Sequence, residues 1–164
     1  MADPNHLLPS DLLPGARSVV AFFLPFDEAV VRANRRRRAV APEWVLAYRE
    51  TNALIADITR RLTDALAERG VRAAAQPPTH NFDPVTLSCR WSHRSAAFLA
   101  GLGTFGLHRL LITEAGCAGR FGSLVLDASL PPTPPPAREH CLHFAGAKCR
   151  ACVDGCPVGA LTVA

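Results

Sequence analysis

A chain of 164 residues, 49% apolar and 20% charged, can build one compact body with a small appendage and is too apolar for a disordered segment. Its net charge of +4 rests on arginine, with Lys148 the only lysine, and reads as composition rather than as a nucleic-acid surface. Six cysteines suit a disulfide framework in a small secreted domain, but the first residues show no basic or apolar leader, and no apolar run is long enough to span a bilayer. The expectation is a soluble cytoplasmic protein without membrane contact, whose clustered cysteines serve metal or redox chemistry.

Residues 18–24, Ser-Val-Val-Ala-Phe-Phe-Leu, form a β-branched and aromatic run without alternation, which predicts a strand buried on both faces and ended by Pro25. Arg35, Arg36, Arg37 and Arg38 follow, read as a solvated face or loop, with phosphate or tRNA contact as the lesser reading. Pro42 can open a helix, since proline loses nothing in a first turn. Helical spacing of Tyr48, Ile55, Ile58, Leu62 and Leu66 carries that helix to Gly70, placed for a left-handed C-terminal conformation. Trp44 and Tyr48 read as packing residues.

Residues 71–75 suit a short strand, and Pro77, Pro78 and Pro84 mark a loop. A second helix is predicted from Ser92, as N-cap, to Ala100. The next six residues, 101–106, are Gly-Leu-Gly-Thr-Phe-Gly. Glycine permits backbone conformations closed to other residues and lets a flat ligand approach the main chain. Gly101, Gly103, Thr104, Phe105 and Gly106 are therefore the candidate cofactor-binding residues. Residues 108–113 and 121–126 read as two strands of a hairpin. The proline run at 131–136 is a stiff spacer. It divides an α+β domain, residues 1–130, from a cysteine-rich segment, residues 137–164.

That segment carries Cys141, Cys149, Cys152 and Cys156, the last three spaced C-x2-C-x3-C with Pro157 directly after. Thiolates are soft ligands that suit iron–sulfur clusters and zinc. In the bacterial ferredoxin run C-x2-C-x2-C-x3-C-P the fourth cysteine ligates a neighbouring cluster. Here the first interval is lengthened to residues 142–148. The expectation is one 4Fe–4S cluster, or two in a longer chain, with Cys156 either completing the single cluster or serving a second. A zinc-stapled structural domain is the alternative, although zinc sites commonly present two C-x2-C pairs. Cys89 and Cys117 have no partner spacing and suit small buried residues. His93 and His108 flank the glycine-rich stretch and either line a pocket or serve the structure; His143, inside the cysteine loop, can donate to cluster sulfur.

Trp91-Ser-His-Arg-Ser-Ala-Ala-Phe-Leu-Ala-Gly-Leu-Gly-Thr-Phe-Gly106, then Leu111-Ile-Thr, then Ala118-Gly-Arg-Phe-Gly-Ser123, then the cysteine run, together resemble the epoxyqueuosine reductase-like iron–sulfur proteins, relatives of the reductive dehalogenases. The chain looks like an abbreviated member. The resemblance implies a nitroreductase-like α+β sandwich that binds cobalamin in the best-known members, followed by a ferredoxin-like domain with two 4Fe–4S clusters that pass electrons to the cobalt. Those enzymes carry a catalytic Asp in a Val-Asp-Ser-Ala-Pro type segment, whereas residues 85–91 here contain no acid and Asp83 is the nearest. Leu107 stands where they place Lys. No catalytic residue is assigned. The expected function is an iron–sulfur oxidoreductase, or a fragment of one, relaying single electrons from the cluster to a cofactor or small-molecule substrate at the α+β domain. A flavodoxin or ferredoxin would supply the electrons. The alternative is a non-catalytic electron-transfer or partner-binding protein.

Overall fold

Strand β1 (Ser18–Pro25) lies antiparallel to β5 (Gly119–Leu126) in a computed structural model that describes residues 6–35, 39–78, 83–86 and 88–163. The register runs from Ser18 opposite Leu126 to Pro25 opposite Gly119, and β2 (Ala73–Ala75) pairs antiparallel with the other edge of β5. The sheet order is therefore β1-β5-β2. The sequence predicts full burial for residues 18–24, but β1 is half-buried along most of its length because it holds an edge of this sheet. The buried strand is β5, where Gly122 to Leu126 are all inaccessible.

Alternate residues of β5 face opposite layers, as the period of two in a strand requires. Gly122 faces Ile55 of α3 (Pro42–Ala67), and a Cβ there would collide with Phe22 and Ile55. On the other face, Val125 packs with Leu13 and Trp91 in the core, joined by Leu7, Val19 and Ala96. Ala96 belongs to α4 (His93–Leu99), so helices cover both faces of the sheet. Two short helices, α1 (Pro9–Leu12) and α2 (Glu28–Arg35), flank β1 in sequence. Arg36, Arg37 and Arg38 lie outside the described residues.

Helix α3 starts at Pro42, and its entry is fixed by Trp44 standing edge-on to Phe26 at 4.9 Å and by Asn34, whose side chain accepts the Ala41 N–H at 3.0 Å. It ends before Gly70, which adopts φ +74°, the left-handed conformation anticipated for a helix terminus. Helix α4 has Ser92 as its N-cap, the hydroxyl accepting from the Ser95 N–H at 3.1 Å.

The hairpin expected between residues 108–113 and 121–126 does not form. β4 (Leu111–Thr113) turns back on β3 (Gly103–Phe105), and β5 joins the central sheet. Two local features shorten the first strand: Arg109 sits at φ 64°, and the His108 ring caps the turn by accepting the Leu110 N–H at 3.0 Å. After β4, Thr113 closes a tight turn with Gly116 by accepting its N–H at 2.9 Å. Half of the glycine-rich stretch, Gly103–Phe105, is thus a strand. The proline run lies against it, with the Pro134 carbonyl directly over Gly101. Past that run, α5 (Ala151–Asp154) is a single helical turn. Among the described residues no helix is long and apolar enough to cross a membrane.

Candidate metal centre

The four cysteines of the C-terminal segment have different surroundings. Cys141 is buried, while Cys149, Cys152 and Cys156 are half-exposed. From Cys141 the chain coils tightly: its carbonyl accepts the Ala145 N–H at 2.8 Å, the Leu142 carbonyl accepts Ala147 N–H at 2.8 Å, and the His143 carbonyl accepts Gly146 N–H at 3.1 Å. Gly146, at φ +94°, lets the coil reverse. The long interval between the first two cysteines is therefore wound up rather than extended.

Burial alone would raise the Cys141 thiol, but amides of Phe144, Leu107 and His143 directed at the sulfur outweigh it and hold the group below the ordinary thiol range. The Cys156 thiol is lowered by the amides of Val158 and Ala160, with smaller help from Leu161 and Gly159. The Ala160 N–H reaches that sulfur at 3.3 Å. Amides aimed at sulfur favour the thiolate, which is the form that binds metal. Cys152 lies on α5. Among the described residues no three His, Cys, Asp or Glu side chains are gathered where a metal ion would be held. The donor chemistry and the sulfur-directed amides suit an iron–sulfur cluster, while the four sulfurs are not drawn together.

Cys141 is tied to the glycine-rich segment. The Leu107 amide, next to Gly106, is among the groups that lower its thiol. Two residues earlier, the Glu139 carboxylate accepts the Cys141 N–H at 3.1 Å and also the hydroxyl of Thr104 on β3. The Thr104 oxygen in turn accepts the His140 N–H at 2.9 Å. Sequence reading singled out Thr104 and Cys141 separately and missed Glu139, whose position two residues before a cysteine was the available signal.

The candidate cofactor residues surround chain atoms. A Cβ at Gly101 would strike the Pro134 carbonyl, one at Gly103 the backbone of Ile112, and one at Gly106 the ring of His108. Phe105 packs on Phe98 at 5.0 Å, with the Arg94 guanidinium 5.6 Å from its ring centre. A cleft of about 380 Å³ opens beside this stretch, between Phe23, Gly101, Thr113, Glu114 and His140. A larger cleft, about 610 Å³, is lined by Val19, Trp91, Leu99 and Leu130, and neither cleft is lined by a cysteine. The smaller one adjoins the candidate chemistry.

The remaining candidates have structural surroundings. His93 is buried; its Nε2 meets the Pro77 carbonyl at 3.1 Å and must donate, so Nδ1 accepts from the Ser123 hydroxyl at 2.8 Å. Burial lowers its basicity and keeps it neutral. Cys117 lies 3.9 Å from Nε2 of His108. Because His108 Nδ1 accepts the Leu110 N–H, Nε2 carries the proton of the neutral ring and cannot take one from Cys117. Burial also pushes the Cys117 thiol up, so the pair is no activated nucleophile. Cys89 is exposed. The Asp83 carboxylate caps a turn, accepting from Thr86 N–H at 3.1 Å and Val85 N–H at 2.7 Å, which lowers its pKa. The ring of His143 packs on Phe144 at 5.2 Å, and its backbone amide is the group that faces Cys141.

Fold and site define a mixed α/β protein with small antiparallel sheets and a thiol-rich segment fastened to one of them. No protein-family model matches the chain. It is 31% identical over 154 residues to the epoxyqueuosine reductase of Salmonella typhimurium, covering 93% of this chain and 38% of that protein. The Escherichia coli epoxyqueuosine reductase is likewise 31% identical, over 157 residues, with 93% and 38% covered. A solved structure of epoxyqueuosine reductase from Streptococcus thermophilus shares the fold, with a TM-score of 0.67 at 18% identity over 96% of this chain and 40% of that one. The chain is thus similar to epoxyqueuosine reductases over most of its own length and spans about two fifths of the length of these relatives.

Proposed function

We propose that this chain is the redox module of an iron–sulfur oxidoreductase. Its Cys141, Cys149, Cys152 and Cys156 hold a 4Fe–4S cluster, and single electrons pass from it to an acceptor at the glycine-rich side of the α/β body. The observation that carries this reading is the seat of Cys141: a buried thiol whose backbone N–H is held by Glu139, which also accepts the hydroxyl of Thr104 in the candidate cofactor segment. Relatedness to epoxyqueuosine reductases supports reductive chemistry.

A bound cluster supplies one-electron transfer at a potential set by its hydrogen bonds and exposure. The protein supplies the rest. Amides around Cys141 and Cys156 stabilise anionic sulfur, and the coil at residues 141–147 fixes where the first sulfur stands. Residues 148–163 close onto Cys141 when the site is loaded, which couples metal binding to ordering of that segment. The acceptor, whether the cobalamin that the resemblance implies or a substrate directly, belongs at the cleft beside Gly101 and His140. The body is nitroreductase-like and the cysteine segment ferredoxin-like in this reading. The donor is a flavodoxin or ferredoxin in a reducing compartment.

Anaerobic reconstitution with iron and sulfide tests this. Brown protein with broad absorbance near ~400 nm, bleached by dithionite, is the expected result. A colourless protein that takes up zinc and no iron leaves only the structural alternative.

A further inference from the structure

Thr104 and Glu139 lie 35 residues apart in sequence and share a hydrogen bond between β3 and the start of the cysteine segment. Three donor–acceptor links meet there. The Thr104 hydroxyl donates to Glu139; Thr104 accepts the His140 N–H at 2.9 Å; and Glu139 accepts the Cys141 N–H at 3.1 Å. Each group uses its natural role, with a hydroxyl both giving and receiving and a carboxylate oxygen receiving twice. Cys141 alone of the four clustered cysteines is buried, at 8% exposure, and it is the one the links reach.

We propose that Thr104 and Glu139 form a latch that docks Cys141 on the α/β body before any metal arrives, so that the first ligand is preset and Cys149, Cys152 and Cys156 assemble around it. Thr104 and Glu139 are positioning residues. They act through the backbone of His140 and Cys141, and they set the distance and hydrogen bonding of one sulfur relative to the glycine-rich segment. A preset ligand lowers the ordering cost of loading the site, and a fixed backbone at Cys141 holds the surroundings of its sulfur and so the potential. The residues that looked like a cofactor loop have this second use: Gly103 lets β3 approach β4 closely enough to present Thr104. The metal-binding part of this inference rests on the cluster reading above; the docking of Cys141 does not.

The test uses the full chain without metal, reduced, and alkylated with iodoacetamide while each cysteine is followed by peptide mass spectrometry. In the unmodified protein Cys141 reacts more slowly than Cys149. Thr104→Val, which keeps the shape and removes both hydrogen bonds, speeds Cys141 by roughly tenfold, the worth of about one ordinary hydrogen bond, and leaves Cys89 unchanged. Glu139→Ala does the same. Thr104→Ser and Glu139→Gln retain the donors and acceptors and keep Cys141 slow. A melting curve identifies a variant that merely unfolds, because unfolding would speed Cys117 as well. In reconstituted protein, Thr104→Val also shifts the midpoint of an EPR-monitored redox titration with no change in charge. Unchanged Cys141 reactivity in folded Thr104→Val, or equal acceleration by Thr104→Ser, overturns the latch. If Cys141 responds as expected but no cluster assembles, the latch stands and the proposed function fails.

Discussion

The hydroxyl of Ser123 donates to Nδ1 of His93 across 2.8 Å in the buried middle of the fold, while accepting the Trp91 indole N–H at 3.1 Å. One side chain on β5 thereby satisfies two polar groups from the segment that opens α4. Ser123→Ala removes both hydrogen bonds. Each unsatisfied buried group costs roughly 1–3 kcal/mol, so the variant should lose about 2–4 kcal/mol in urea unfolding. A loss below about 0.5 kcal/mol would show that the cluster does not bear on stability.

His93 also gives the fold a pH dependence of known sign. Its neutral form is the native one, and burial lowers its pKa below the ordinary 6.5. Between the native value and about 6.5 the unfolded chain binds the extra proton. Stability is then complete above about pH 6.5 and falls as the pH drops toward the native pKa. His93→Gln preserves one donor and one acceptor but does not titrate. The difference in melting temperature between the two proteins should change across this window, and parallel curves would contradict the assignment.

Glycine is demanded unequally. At Gly103 a Cβ collides with the backbone of Ile112, which cannot step aside, whereas at Gly116 there is open space and only the φ of +88° opposes a side chain. Gly116→Ala should cost about 1 kcal/mol. Gly103→Ala should cost about 3 kcal/mol through overpacking and, by separating β3 from β4, expose Cys141 to alkylation. Equal costs and a protected Cys141 would show that β3 does not hold the cysteine segment.

Much of this fold was legible because it is local. The helix opened at Pro42 and closed before Gly70, and the Ser92 cap, depend on neighbours a few residues away. Partner choice in the sheet does not. Residues 108–113 and 121–126 look like a hairpin in sequence, but burial of Gly122 to Leu126 between two helix layers draws β5 to β1 and β2, and β4 is left to pair with β3. Spacing alone proposes the cysteines as a ligand set, and among the described residues no three potential ligands are gathered. The attachment of Cys141 was not legible, since it depends on a threonine and a glutamate 35 residues apart meeting in space.

Cysteine substitutions separate ligands from bystanders. Serine in place of Cys141, Cys149, Cys152 or Cys156 should each reduce iron uptake, because a 4Fe–4S cubane needs its thiolates. Cys117→Ser, at a thiol 3.9 Å from His108 Nε2, should retain it. Iron content per folded chain after reconstitution decides this, and undiminished uptake in any one of the first four removes that residue from the set.

The central claim is most directly tested by quantifying iron and acid-labile sulfide in the anaerobically reconstituted chain, with EPR after dithionite reduction. About four irons and four sulfides per chain, with an S = 1/2 signal, are predicted for a single cubane. Bound zinc with neither iron nor sulfide, and no EPR signal, would contradict it.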